Sequence, residues 1–70
     1  MSNLAAIVGE RIRKKRKDLS ISQYELSLKA GIDRSYMGKI ERGEINITLE
    51  KIHQIAKALD IELVDLVEGL

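Results

Sequence analysis

Apolar residues recur at intervals of three and four positions along most of the chain, with polar and charged residues between them. This spacing is typical of helices that bury one face and expose the other. The strict alternation that marks half-buried strands is missing, and the chain contains neither Phe nor Trp. The pattern therefore predicts an all-α fold of five short helices.

The first two predicted helices have clear boundaries. The first spans Leu4–Asp18. The second follows Ser22, which forms a capping box with Glu25 three residues later. It ends at Ala30, because Gly31 readily adopts the left-handed conformation found after helices. The apolar stripe predicted for the first helix contains Leu4, Val8, Ile12 and Leu19.

Three further helices are predicted in the rest of the chain. Asp33 caps the third helix, which runs to Arg42 and stops at the glycine that follows. The fourth helix covers 48–59 with Thr48 as its cap, and the fifth covers 62–68. The apolar stripe of the fourth helix consists of Leu49, Ile52, Ile55, Ala56 and Leu59.

Length and composition restrict the class of protein. A chain of 70 residues has room for one hydrophobic core, so we interpret residues 1–70 as a single domain. No apolar run approaches the ~20 residues of a membrane span and no signal peptide is recognisable, so we expect a cytoplasmic protein without a membrane partner. Cysteine is absent and His53 is the only histidine, so we expect no metal or cofactor. A single domain leaves no second domain to sense a ligand, so we expect no small-molecule ligand.

The net charge of +1 hides a strong asymmetry along the chain. Residues 1–42 contain ten Lys and Arg against five Asp and Glu. Residues 43–70 contain two basic residues against six acidic ones. A polyanion is therefore expected to bind the first part of the chain.

Residues 23–42 contain two short predicted helices joined by about three residues around Gly31, the arrangement of a helix-turn-helix. Apolar and small residues occur where two crossing helices need inward contacts. These residues are Leu26, Ser27, Ala30, Ile32, Met37 and Ile40. The unit predicts a DNA-binding protein that presents the second of these helices to the major groove.

One face of the predicted third helix has no apolar side chain. On a helical wheel this face carries Arg34, Ser35, Gly38, Lys39 and Arg42, and the opposite, packed face carries Tyr36, Met37 and Ile40. Arg and Lys donate hydrogen bonds to guanine O6 and N7, and Ser can serve several bases. The alternative is that this face is only a solvated helix surface. The capped helix and glycine turn that precede it favour a face that contacts DNA bases.

The sequence resembles the Cro/CI-type helix-turn-helix regulators, the XRE family, over about residues 8–66. The segments that carry the resemblance are GERIRKKRKDLSISQYELSLKAG, IDRSYMGKIERGE and ITLEKIHQIAKALDIEL. The resemblance implies a compact lambda-repressor-like domain that binds a palindromic operator as a homodimer, with its third helix in the major groove. Carried over by position, it assigns base contacts to Arg34, Ser35 and Lys39.

The resemblance also implies contacts to the phosphate backbone of DNA. Gln23 begins the second helix, and helix N-termini bind anions readily. Asn46 stands where relatives often contact phosphate, and Arg42 and Tyr36 are further candidates. Arg11, on the basic first helix, is a candidate from its charge, although such a helix face is often only solvated.

Arg16 continues the inward stripe of Val8 and Ile12, where an unpaired charge is costly. It therefore requires a partner, and the resemblance supplies Glu41. We expect an Arg16–Glu41 ion pair with a structural role, joining the first helix to the recognition helix.

Three residues depart from the family pattern. Ser20 stands where relatives commonly have Gly, so we expect a strained or altered turn. Ile45 stands where many relatives have Lys or Arg, which removes one phosphate contact. Gly38 costs up to ~1 kcal/mol relative to Ala inside a helix, and it either permits close approach to DNA or is simply tolerated.

The fourth and fifth helices carry more apolar residues than a monomer of this size easily buries. We therefore expect a homodimer through this acidic C-terminal region, with ordinary core packing as the alternative. The residues predicted for the dimer interface are Leu63, Val64, Leu66, Val67 and Leu70. Two recognition helices would then lie about 34 Å apart and read half-sites about 10 base pairs apart.

Within the family, the run RSYMGKIERGEINITLEKI is most similar to the controller proteins of restriction-modification systems, which regulate their own promoter and that of the endonuclease gene. Phage Cro/CI-like repressors and antitoxin-type autorepressors are the alternative contexts. RNA polymerase is a further candidate partner for a regulator of this kind.

Other classes of protein fit the sequence less well. We expect no enzyme, because no nucleophile–base pair, paired carboxylates or phosphate-binding loop can be assembled. A helical interaction module without DNA binding would lack the basic face of the third helix. RNA binding is disfavoured because only Tyr24 and Tyr36 could serve as stacking platforms.

Overall fold

A computed structural model describes residues 3–70, so the first two residues of the predicted domain lie outside the described residues. The helices are α1 (Leu4–Asp18), α2 (Gln23–Ala30), α3 (Arg34–Glu41), α4 (Leu49–Ala58) and α5 (Val64–Val67). Over residues 3–70 there is no strand, which confirms the predicted all-α class. None of the helices in this range is long and apolar enough to cross a membrane.

Side-chain caps begin three of the helices where the sequence predicts them. Ser22 Oγ accepts from the Glu25 amide at 3.0 Å, and the Glu25 carboxylate accepts from the Ser22 amide at 2.8 Å. Asp33 and Thr48 accept from the first-turn amides of α3 and α4 in the same way. Each such cap stabilises its helix by about 1 kcal/mol. Gly31, with a φ of 67°, ends α2.

The last helix is shorter than predicted. The sequence predicts 62–68, whereas α5 is a single turn over Val64–Val67. Its N-cap residue, Leu63, has no side-chain acceptor to offer, and one turn of helix is marginal without tertiary contacts. The position of α5 therefore depends on the burial of Leu66, which is fully enclosed.

A single apolar core lies between the helices, with α1 packed on α3 and α5 and with α2 packed on α3 and α4. The core residues are Val8, Ile12, Leu26, Ala30, Ile32, Met37, Ile40, Ile52, Ile55, Ala56, Leu59 and Leu66. Three leucines assigned to apolar stripes are instead exposed: Leu4 and Leu19 by 50% and Leu49 by 69%. All three stand at the ends of their helices.

Gly9 allows α1 to cross α3 at backbone contact. A Cβ atom at this position would overlap the carbonyl oxygens of Ile40 and Glu41. Because these are backbone atoms, they cannot move aside as a flexible side chain could. The close crossing fixes the C-terminal half of α3 against α1.

Ser20 adopts the left-handed conformation that the sequence comparison with the family leads us to expect. Its φ is 58°, which is strained for a residue with a Cβ atom. We predict that Ser20→Gly raises the free energy of unfolding by about 0.5–1 kcal/mol, the strain relieved minus the entropy that glycine gains in the unfolded chain. Urea denaturation measures this change, and a less stable variant would contradict it.

Candidate nucleic-acid interface

The recognition helix α3 has one buried face and one exposed basic face. Met37 and Ile40 are 0% and 2% exposed in the core. Arg34, Ser35 and Lys39 are exposed on the other side of the helix. The packed face anchors α3, so its three polar side chains project from a fixed backbone.

Gly38 is buried, although the helical wheel predicts that it lies on the exposed face. A Cβ atom there would lie 3.0 Å from Arg42 Nη1 and 3.4 Å from Gln23 Oε1. The side chains of Arg42 and Gln23 therefore cover this position. A helical wheel considers one helix alone, so it cannot show that a neighbouring helix covers part of the face. Glycine here lets both side chains lie close against α3.

The Arg34 guanidinium lies over an aromatic ring from the preceding helix. Its guanidinium carbon is 5.5 Å from the centroid of the Tyr24 ring, a distance typical of cation–π contacts. Tyr24 is the second residue of α2 and Arg34 is the first residue of α3. The contact therefore bridges the turn of the helix-turn-helix.

Asp33 holds the beginning of α3 and also engages Ser35. Its Oδ2 atom accepts from the Ser35 amide at 3.0 Å, from the Tyr36 amide at 3.3 Å, and from the Ser35 hydroxyl. The Ser35 hydroxyl, followed by the Tyr36 amide, lowers the pKa of the Asp33 carboxyl. The stabilisation that this cap provides is present above the ordinary carboxyl pKa and is lost as the pH falls through the lowered value. In this arrangement the Ser35 oxygen presents lone pairs to solvent.

Arg16 and Glu41 form a bidentate ion pair between α1 and α3. Arg16 Nε and Nη2 donate to the two carboxylate oxygens of Glu41 at 2.8 and 3.0 Å. Arg16 Nη1 donates to the Ile21 carbonyl oxygen at 3.0 Å, and Gln23 Nε2 donates to Glu41 Oε1 at 3.2 Å. The two charged side chains are 11% and 3% exposed. One network therefore fixes α1, the turn before α2, and the recognition helix.

Arg42, the C-cap residue of α3, pairs with Glu44 on the surface. The hydrogen bond from Arg42 lowers the pKa of the Glu44 carboxyl, and the same bond raises the pKa of Arg42. Both side chains are about half exposed, so the pair is weak and readily exchanged for another anion.

The N-terminus of α2, near Arg16 and Arg42, has backbone amides that donate to no protein acceptor. Ser22 accepts from the third amide of the helix, which leaves the amides of Gln23 and Tyr24 without a protein acceptor. Such amides favour an anion. The Gln23 side chain lies at the same end, where Glu41 orients it.

A polar groove of about 540 Å³ separates this end of α2 from α1. It is lined by Ala6, Glu10, Arg13, Arg16, Gln23, Glu41 and Arg42. Arg13 is absent from the site residues predicted from the sequence. Arg13 and Arg16 are three residues apart, so both lie on one side of α1. This spacing in the sequence could have identified Arg13.

Arg11 lies on another side of α1 from this groove. Its Nη1 atom donates to the carbonyl oxygens of Glu68 at 2.6 Å and Leu66 at 3.4 Å, at the C-terminal end of α5. Two residues along a helix correspond to a rotation of about 200°, so Arg11 and Arg13 point in nearly opposite directions. The structure therefore joins Arg11 to α5 and not to the predicted phosphate contacts.

The remaining predicted phosphate contacts lie in different environments. Tyr36 is partly buried against the core, and Ile45, which stands where relatives have a basic residue, packs there as well. Asn46 is exposed at the edge of an apolar groove.

The structure places some of the residues predicted for a dimer interface in the core and others on the surface. Leu66 is fully buried and Leu63 and Val67 pack against the core, so Leu66 is a core residue and not an interface residue. Val64 and Leu70 are 55% and 48% exposed. Leu66 was wrongly predicted to be an interface residue because the sequence does not show that α5 packs on α1.

An apolar groove of about 320 Å³ lies next to the exposed chain end. It is lined by Leu4, Ala5, Val8, Asn46, Ile47, Leu49, Ile52, Val67 and Leu70. The exposed leucines at its rim come from α1, α4 and the chain end. The groove therefore joins three segments into one apolar surface.

The two helices, the glycine turn and the exposed basic face define a helix-turn-helix protein of the DNA-binding class. The chain belongs to the helix-turn-helix family HTH_3, whose family model matches residues 12–66.

Three similar proteins indicate which helix-turn-helix regulators this chain resembles. The chain is 34% identical to the control protein C.BamHI of Bacillus amyloliquefaciens, over 96% of this chain and 84% of that protein. It is 39% identical to the immunity repressor of Bacillus phage phi105, over 80% of this chain and 39% of the repressor. The crystal structure of the restriction-modification controller protein C.AhdI from Aeromonas hydrophila matches with a TM-score of 0.87 and 41% identity, over 90% of this chain and 96% of that one.

The family and its members confirm the resemblance inferred from the sequence. The protein is a DNA-binding helix-turn-helix transcriptional regulator of the XRE family, similar to restriction-modification controller proteins.

Proposed function

We propose that this protein binds a palindromic operator as a homodimer and controls transcription within a restriction-modification system. The observation that carries the proposal is the exposed basic face of α3, held by a buried ion pair and an apolar core. In this proposal Arg34 and Lys39 donate to guanine O6 and N7. Ser35, whose hydroxyl proton is engaged by Asp33, accepts from the amino group of adenine or cytosine.

The phosphate contacts in this proposal flank the recognition helix. Gln23 and the free amides of α2 bind one phosphate, and Arg13 and Arg42 line the same groove. Asn46 and Tyr36 remain proposed contacts from the family resemblance. Arg11 is left out, since its guanidinium is used at the end of α5.

The dimer in this proposal forms on the apolar groove. Leu4, Leu49 and Leu70, which line this groove, expose about half or more of their surface. Exposed apolar side chains that cluster around a groove mark a surface for association. Basic residues are concentrated in the first 42 residues, so the acidic C-terminal part can pair while the basic part faces DNA.

The restriction-modification context is supported by the extent of similarity. The match to C.BamHI covers 84% of that protein, and the match to C.AhdI covers 96% of that chain. A phage repressor is the second candidate, favoured by the 39% identity to the phi105 immunity repressor. That similarity spans only 39% of the repressor.

Selection of bound duplexes from a random pool tests the DNA-binding proposal. We expect enrichment of a motif with two-fold symmetry and half-site centres about 10 base pairs apart. The affinity for this motif should fall steeply with salt, because bound phosphates release counterions. Failure to enrich any motif, or a salt-independent affinity, would contradict the proposal.

Leu49→Glu tests the proposed dimer surface. We predict that it converts the protein to a monomer at tens of micromolar, because a carboxylate would have to be buried in the apolar interface. A glutamate in the first turn of α4 is compatible with the helix dipole, so the fold should be retained. Sedimentation equilibrium measures the change, with Leu28→Glu on α2 as the matched control. If Leu49→Glu and Leu28→Glu both dimerise as strongly as the wild type, the proposed dimer surface is wrong.

A further inference from the structure

Tyr24 and Arg34 lie together on the surface where α2 meets α3. The guanidinium carbon is 5.5 Å from the ring centroid, within the distance at which a ring face attracts a cation. Tyr24 remains 50% exposed, and Arg34 is exposed as well. The Tyr24–Arg34 pair is therefore accessible to a ligand on the surface of α3.

No carboxylate competes with the ring for Arg34. The adjacent Asp33 is occupied by the cap of α3. Among the described residues, the carboxylates paired with an arginine are Glu41 and Glu44. Within residues 3–70, Arg34 therefore contacts the Tyr24 ring without an ion pair that would draw it away.

A cation–π contact leaves most hydrogen-bond donors of a guanidinium available. The group carries five N–H donors in a rigid planar fork, and one ring can engage only part of them. Bidentate recognition of guanine uses two of these in-plane donors. A guanidinium that is already held against a ring loses less side-chain entropy when it binds.

We propose that Tyr24 is a positioning residue for Arg34, whose ring orients the guanidinium toward a guanine edge and so increases sequence discrimination more than general DNA affinity. This inference rests on the proposed function, in which Arg34 contacts a base. It adds α2 to the elements that determine specificity.

The orientation of Arg34 can be tested without DNA. In proton NMR spectra of the free protein, the Arg34 side-chain protons should be shifted upfield by the ring current of Tyr24. The shift should persist in Tyr24→Phe and disappear in Tyr24→Leu, with thermal melts showing that both variants fold. Arg34 protons without this shift in the wild type would overturn the proposal, whatever the protein does with DNA.

Binding measurements test the consequence for specificity. On the duplex selected by the wild type, Tyr24→Leu should weaken binding about 2- to 5-fold, the strength of an exposed cation–π contact. Its affinity for a random-sequence duplex should be unchanged. Tyr24→Phe and the control Leu28→Ala, on the same helix, should match the wild type on both duplexes.

A double-mutant cycle distinguishes positioning from a direct contact by Tyr24. In the Arg34→Ala background, Tyr24→Leu should have no further effect. An equal loss in that background, or a loss in Tyr24→Phe as large as in Tyr24→Leu, would show that Tyr24 contacts DNA itself and would overturn the proposal. If the wild type selects no duplex, the proposed function fails, and the NMR measurement still decides the role of Tyr24.

Discussion

Arg16→Met is expected to destabilise the folded protein by about 3–5 kcal/mol, enough to unfold much of a domain of this size. The substitution leaves the Glu41 carboxylate buried, with Gln23 as its remaining side-chain donor. Removing one partner of a buried pair costs far more than the pair contributes, because the remaining charge stays desolvated. Thermal unfolding followed by circular dichroism measures the loss.

A second variant separates loss of the charge pair from loss of packing. Arg16→Met combined with Glu41→Leu removes both charges, and such replacements are often neutral in stability. We expect this double variant to recover most of the stability. Its operator affinity should remain below that of the wild type, because Gln23 has lost its acceptor. A single Arg16→Met variant as stable as the wild type would contradict the assigned role of the pair.

Arg34→Ala is expected to weaken binding to the selected operator by about 1–3 kcal/mol, or roughly 5- to 150-fold. The loss should be confined to one base position per half-site, where discrimination among the four bases should relax. The physical reason is that a bidentate donor to guanine is removed while the phosphate contacts remain.

A basic residue far from α3 provides the control for charge. Lys57→Ala on α4 removes the same charge from an exposed position, and we expect unchanged base preference. Competition among single-base operator variants measures both proteins. If Arg34→Ala loses the same affinity for every single-base operator variant, Arg34 contacts the phosphate backbone and not a base.

Local signals in the sequence were sufficient to predict the helix-turn-helix. The Ser22–Glu25 capping box, the Asp33 cap and the left-handed Gly31 each depend on residues within four positions. The strained Ser20 turn was instead expected from the family resemblance, because relatives commonly have Gly at that position. Such features are specified by local hydrogen bonds and sterics, so the bounds of α1 and α2 agree with the prediction.

Features that depend on the docking of distant helices were not predictable in this way. The sequence shows that α1 is basic, but not that Arg11 reaches α5 while Arg13 lines the groove beside α2. It shows apolar residues near the chain end, but not that Leu66 enters the core. The cation–π contact between Arg34 and Tyr24 likewise depends on the crossing of α2 and α3.

The exposed basic face of α3 is proposed to read the major groove, and base analogues test this most directly. In the selected operator, the guanine read by Arg34 is replaced by 7-deazaguanine, which lacks the major-groove N7 acceptor, or by inosine, which lacks the minor-groove amino group. We predict that 7-deazaguanine weakens binding of the wild type but not of Arg34→Ala, and that inosine has little effect on either. Strong weakening by inosine together with indifference to 7-deazaguanine would place the contact in the minor groove and contradict the account.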